Sequence, residues 1–164
     1  MVKERNLVSK DRRKVRIKFA LAYPNVYNVG MSNLGIRLLY EYINNCPDAL
    51  CERFFFSQFG EIPRSIESGL PLTEYDAIGF SLQHEMDYLR MLDMLSASGI
   101  PIRRSERKSP IVIAGGPSVT SNPLPLSPFV DFFLIGEAEP VLDEMLSALG
   151  SRNPRRDLGS IGSF

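Results

Sequence analysis

Apolar positions along this chain switch repeatedly between two rhythms. Val15, Ile17, Phe19 and Leu21 alternate with other residues up to Tyr23-Pro24, a period of two that predicts a strand. Ile36, Leu39, Tyr40 and Ile43 then recur at i, i+3, i+4 and i+7, one face of a helix over 32–44, with Ser32 placed to cap it. Leu50 to Phe56 reads as a second, aromatic-rich strand, and Ala77 to Leu82 is an almost unbroken apolar run, as in a strand covered on both faces. Tyr88, Met91, Leu92 and Leu95 form the next helical face, which stops at Gly99. Ile111 to Ala114 is a fourth strand and Phe129 to Ile135 a fifth. Pro140, at a first helical position, introduces the last apolar face, Leu142, Met145, Leu146 and Leu149, before Gly150.

Strands alternating with helices predict an α/β domain over residues 15–150. The expected form is a flavodoxin-like, doubly wound and mainly parallel five-stranded sheet in the order 2-1-3-4-5. The link from Gly115 to Pro128 carries four prolines and has the weakest helical signal. Residues 1–14 read as a basic arm, since the first 18 residues hold eight Lys or Arg against Glu4 and Asp11. No aromatic residue interleaves with those charges, so the arm reads as a solvated leader rather than a nucleic-acid strip. Residues 151–164, polar and glycine-containing, read as linker.

Composition narrows the class. The chain has 164 residues, room for one ordinary domain, and 44% of them are hydrophobic, enough for a core. Nineteen Lys+Arg balance nineteen Asp+Glu, so no overall field favours nucleic acid or membrane. Two cysteines, Cys46 and Cys51, are too few for a disulfide framework, and no apolar run approaches a membrane span. The charged amino terminus is no secretory signal, so a cytoplasmic, reducing compartment is expected.

In a doubly wound sheet, ligands bind at the carboxyl ends of the strands. Those ends carry Tyr23 to Asn33 after the first strand, Ser81 to Glu85 after the third, Gly115 to Ser118 after the fourth and Gly136 to Glu139 after the fifth. Glycines there permit close backbone approach by a ligand. No G-x-G-x-x-G follows the first strand and no Walker A motif occurs, which argues against ordinary nicotinamide or ATP sites. A phosphate-receiver role lacks its aspartate, because the central strands end in Ser81 and Gly115.

The runs Asp76 to Leu82, Ile113 to Pro117 and Asp131 to Leu142 resemble the amino-terminal cobalamin-binding domain of cobalamin-dependent radical SAM proteins. Tyr23 to Gly35 resembles one uncharacterised branch of them. The better-known cobalamin modules carry D-x-H-x-x-G, S-x-L and G-G at the strand ends. Here those positions read Asn25-x-Tyr27-x-x-Gly30, Ser81-x-Gln83 and Gly115-Gly116. Tyr27 thus replaces the histidine that ligates cobalt in those modules, and radical SAM relatives commonly bind cobalamin without it. The resemblance implies a corrin held by Asn25, Tyr27, Gly30, Asn33, Ser81, Gln83, Gly115, Gly116, Pro117, Ser118, Gly136, Glu137 and Glu139. It also implies a radical SAM barrel as partner, in cis or in trans.

The 4Fe–4S cluster and SAM of such proteins belong to that barrel, because a C-x-x-x-C-x-x-C motif is absent here. Cys46 and Cys51 read as structural thiols, and His84, the lone histidine, as a solvent-facing first-turn residue rather than a metal ligand. Glu137 and Glu139 read as a helix cap or as acceptors for a ligand amide. No catalysis is expected from this chain alone. The alternative is a cofactor-free docking scaffold for the same barrel, motivated by Asn25, Tyr27 and Gln83.

Overall fold

The computed structural model of the chain describes residues 8–161. Its five strands are β1 (Ile17–Tyr23), β2 (Ala49–Phe55), β3 (Ala77–Ser81), β4 (Ile111–Gly115) and β5 (Phe132–Phe133). All pair in parallel, in the order β2-β1-β3-β4-β5, so the fold is the flavodoxin-like one expected. Helices α1 (Tyr27–Ser32), α2 (Leu34–Asn45), α3 (Met86–Ala97), α4 (Pro117–Ser121), α5 (Leu142–Leu149) and α6 (Pro154–Leu158) complete it.

Alternation along β1 divides the core in two. Phe19, Leu21 and Tyr23 face one cluster, built with Ile36 and Ile43 of α2 and Leu142, Met145 and Leu146 of α5. Ala20 and Ala22 face the other, with Ile78, Phe80, Val112 and the α3 residues Met91, Met94 and Leu95. The sheet is therefore apolar on both faces, and its central strands are nearly free of charge.

Several boundaries differ from the pattern-based reading. Asn33, not Ser32, caps α2: its side-chain oxygen accepts from the Ile36 N–H at 3.2 Å, while the Ser32 hydroxyl turns back to the Asn28 and Val29 carbonyls. The fifth strand shrinks to two residues, because β4 offers register partners only at Ile113 and Ala114. The proline-rich link keeps just the five-residue α4 and a 3-10 turn at Leu124–Leu126. Pro140 lies in a 3-10 turn, Glu139–Val141, that leads into α5. Part of the tail that reads as linker folds as α6, whose Leu158 is buried in the first core.

The described part of the basic arm is docked rather than solvated throughout. Lys10 Nζ donates to the Cys46 and Ala49 carbonyls at 2.8 and 2.7 Å. Arg12 pairs with the buried Glu52 at 2.8 Å and also donates to the Glu74 carbonyl. Residues 1–7 of the arm lie outside the described residues.

From Ala49 to Arg53 the outer edge of β2 is satisfied group by group. Besides Ala49 O, held by Lys10, Cys51 exchanges two 3.0 Å bonds with the Asn44 side-chain amide. The Arg53 N–H donates to Glu67 at 2.8 Å, and its carbonyl accepts from the Ile66 N–H at 3.0 Å.

Candidate functional site

The strand exits at the carboxyl edge are stitched together by backbone. Leu82 N–H donates to Gly115 O at 2.9 Å, and Leu82 O accepts from Ser118 Oγ at 3.1 Å and from the Ser118 N–H at 3.4 Å. Gly116 makes this approach possible with φ +104; a Cβ there would stand 2.5 Å from Leu82 O. After β5, Gly136 also takes a positive φ, +84, and its N–H donates to Thr120 Oγ1 at 3.0 Å. The β3–α3 turn is fastened by Asp87, which accepts from the Gln83 and His84 N–H groups at 2.9 and 3.1 Å.

These loops rim a cleft of about 240 Å3 between the sheet and the helix pair α2 and α5. Its floor is Phe19, Leu21, Gly79 and Ile113, and its walls are Leu39 and Ile43 on one side and Leu142 and Met145 on the other. The rim is polar: Asn33, Ser81, Gln83, Glu137 and Glu139 stand there, with Gly115, Gly116, Pro117 and Gly136 between them. Gln83 Nε2 donates to Ser81 Oγ at 3.0 Å, so these two side chains are set as a pair. Such a volume lies below the usual range of small-molecule sites, so it suits one flat, apolar part of a ligand whose bulk rests on the rim.

Nine of the thirteen residues singled out in the sequence line this cleft. Asn25, Tyr27, Gly30 and Ser118 do not. Asn25 shapes the turn, accepting from the Val26 N–H at 2.9 Å through its side chain. Tyr27 packs edge-on against Phe55, ring centroids 5.3 Å apart. Gly30 is small for the same ring, since a Cβ would stand 2.3 Å from Phe55 Cε1. Ser118 is buried on the Leu82 carbonyl. The cleft walls went unremarked in the sequence because their periodicity is that of any core helix. Beside the rim, Tyr23 has its phenol pKa raised by burial and by the nearby Asp87 carboxylate, against which a hydrogen bond with Asn33 acts.

His84 is exposed and away from the cleft lining. Among the described residues no three His, Cys, Asp or Glu side chains gather in a way that would hold a metal ion. Cys51 is buried and its thiol pKa is pushed well up by that burial, while Cys46 is half-buried; both thiols are free. Glu137 and Glu139 make no hydrogen bond among the described residues, so neither caps the turn that follows. No helix among the described residues is long and apolar enough to cross a membrane.

The cleft lies where the strand order reverses, between β1 and β3, the place where doubly wound folds bind ligands, so fold and cleft together define a doubly wound domain with a candidate site at its switch point. The chain belongs to the family described as Radical SAM proteins, N-terminal, whose model matches residues 35–158. It is also 28% identical over 120 residues to the uncharacterized protein MJ0966 of Methanocaldococcus jannaschii, a match that covers 73% of this chain. The same match covers 24% of that protein, so the chain spans about a quarter of its relative. No solved structure matches.

Proposed function

We propose that this radical SAM amino-terminal domain holds a cobalamin at its carboxyl edge for an adjoining radical SAM domain. The observation that carries the reading is the open apolar slot under a polar, glycine-lined rim. The slot matches a flat aromatic nucleotide tail, with Phe19, Leu39 and Met145 against the ring system and Ser81 and Gln83 near its polar end. Gly115, Gly116 and Gly136 leave the rim low enough for a broad macrocycle to lie across it. A bound cobalamin supplies a cobalt centre that can carry a methyl group.

This chain's residues bind and orient; none is assigned a proton or a bond in a reaction. Tyr27 is turned onto Phe55 and His84 lies outside the cleft, so neither side chain is placed as a cobalt ligand. The cofactor-free scaffold would be better served by a filled slot than by an open one. The adjoining domain is proposed to cover the same edge. Val26, Val29, Leu34, Met86 and Ile135 are exposed on the segments that follow the carboxyl ends of β1, β3 and β5, apolar surface on that edge.

The test is reconstitution of the chain with hydroxocobalamin, followed by gel filtration read by corrin absorbance. Stoichiometric co-elution is expected, and Ala138→Trp, which plugs the cleft wall, should abolish it while leaving the far-UV circular dichroism unchanged. Absence of co-elution, or equal co-elution with the plugged variant, overturns the proposal.

A further inference from the structure

We propose that the opposite, amino-terminal edge of the sheet carries a second binding site, for a small molecule bearing a polyphosphate. A cleft of about 690 Å3 opens there, between the amino ends of β1 and β4, the end of α5 and the start of α6. Arg16, Lys108, Arg152, Arg155 and Arg156 line it, with Asp76 as the one carboxylate. The whole chain has equal numbers of cations and anions, so this excess is a local accumulation rather than a property of the surface at large.

The cations fall into two sets. Arg16 is fixed by the Gly150 carbonyl at 2.5 Å. Arg155 is fixed by Asp131 at 2.5 Å and by the Arg107 and Lys108 carbonyls at 3.2 Å. Those two frame the cleft. Lys108, Arg152 and Arg156 are exposed, and their side chains make no hydrogen bond or ion pair among the described residues. Asp76 is already engaged, its carboxylate accepting from the Lys18 N–H at 2.7 Å.

Three unengaged cations beside two held ones exceed what a single phosphate group, with charge near −2, would balance. Arginine forks also suit phosphate oxygens bidentately. No aromatic side chain lines the cleft, so nothing there would stack on the bases of a nucleic acid strand. Recognition is therefore of linked phosphates in a concave site of small-molecule size.

The 164-residue chain is titrated calorimetrically with tripolyphosphate, pyrophosphate, inorganic phosphate and a single-stranded RNA of about 20 nucleotides. Saturable binding is expected, strongest for tripolyphosphate and weakest for inorganic phosphate. The triple variant Lys108→Ala, Arg152→Ala, Arg156→Ala should weaken it by at least about 100-fold, as the loss of several charge-assisted hydrogen bonds requires. Lys108→Ala and Arg156→Ala singly should each weaken it by about tenfold. A control triple of exposed cations elsewhere, Arg13→Ala, Arg37→Ala, Arg103→Ala, should leave it within about twofold. No binding at about 1 mM tripolyphosphate overturns the proposal, as does equal weakening in the two triples. RNA binding tighter than tripolyphosphate also overturns it, in favour of a nucleic-acid surface.

Discussion

The ring of Phe19 rests on the bare Cα of Gly79 on the neighbouring strand: a Cβ at Gly79 would stand 2.5 Å from Phe19 Cζ. Both residues floor the carboxyl-edge cleft, so Gly79→Ala has one soft direction in which to push the ring, into the slot. We expect a loss of about 1–3 kcal/mol from overpacking, read by urea unfolding, together with weakened cobalamin retention. Unchanged stability with full retention would show that the ring has another way to move.

Gly116 and Gly136 separate backbone strain from collision. Both take positive φ, but only Gly116 would drive a Cβ into a carbonyl oxygen; nothing lies within 4 Å at Gly136. Gly136→Ala should cost about 1–2 kcal/mol, the conformational penalty alone. Gly116→Ala should cost more than about 3 kcal/mol, since the clash adds to the strain and breaks the Leu82 stitch. Denaturant midpoints of the two variants, compared side by side, provide the check.

Glu52 gives the domain an acid-sensitive joint. Burial alone would raise its pKa, yet hydrogen bonds from Ser65, Ser68 and Tyr75 and the charge of Arg12 more than offset this, and the net shift is downward. A carboxyl whose folded pKa is depressed stabilises fully above its unfolded value and loses that contribution as pH falls through the folded one. Glu52→Gln should therefore cost about 2–3 kcal/mol at neutral pH, and the gap from the natural chain should close as pH falls below the ordinary carboxylate range and through the folded value. A gap independent of pH would mean that packing, not charge, holds the joint.

Asp131 sits between two guanidinium groups, Arg107 at 2.9 Å and Arg155 at 2.5 Å, and also accepts from the Val112 N–H. The Arg107 side chain is fully buried. Asp131→Ala leaves that charge uncompensated, so a loss of about 3–5 kcal/mol is expected in urea unfolding. Hydrogen exchange should show α6 opening first, because Arg155 loses its anchor as well. Retained protection across Pro154–Leu158 would assign the docking of α6 to Leu158 instead.

The parallel order and the gathering of Gly115 and Gly136 at one edge were legible because each strand announces itself locally and parallel topology does the rest. Gly30 shows the limit. Its spacing from Asn25 matched a ligand motif, but its smallness serves Phe55, a contact set by packing across 25 positions that no short motif encodes. The slot itself was hidden in plain helical periodicity, since Leu39 and Met145 read as core whether or not they close on each other. The amino-edge cleft was hidden differently: Arg16, Lys108 and Arg152 meet only after four crossovers bring their ends together. The run Arg152 to Arg156 was its one local trace.

The closed outer margin of β2 bears on what this domain does while no other domain covers it. A sheet ends safely only if its last strand has no main-chain valence to offer, and here Asn44, Glu67, Lys10 and Ile66 have taken those at Ala49, Cys51 and Arg53. The opposite margin, at β5, is two residues long, too short to template a neighbour. Copies of the domain that meet at high concentration through exposed apolar side chains such as Val29, Leu34 and Met86 are thus not zipped strand to strand into fibres.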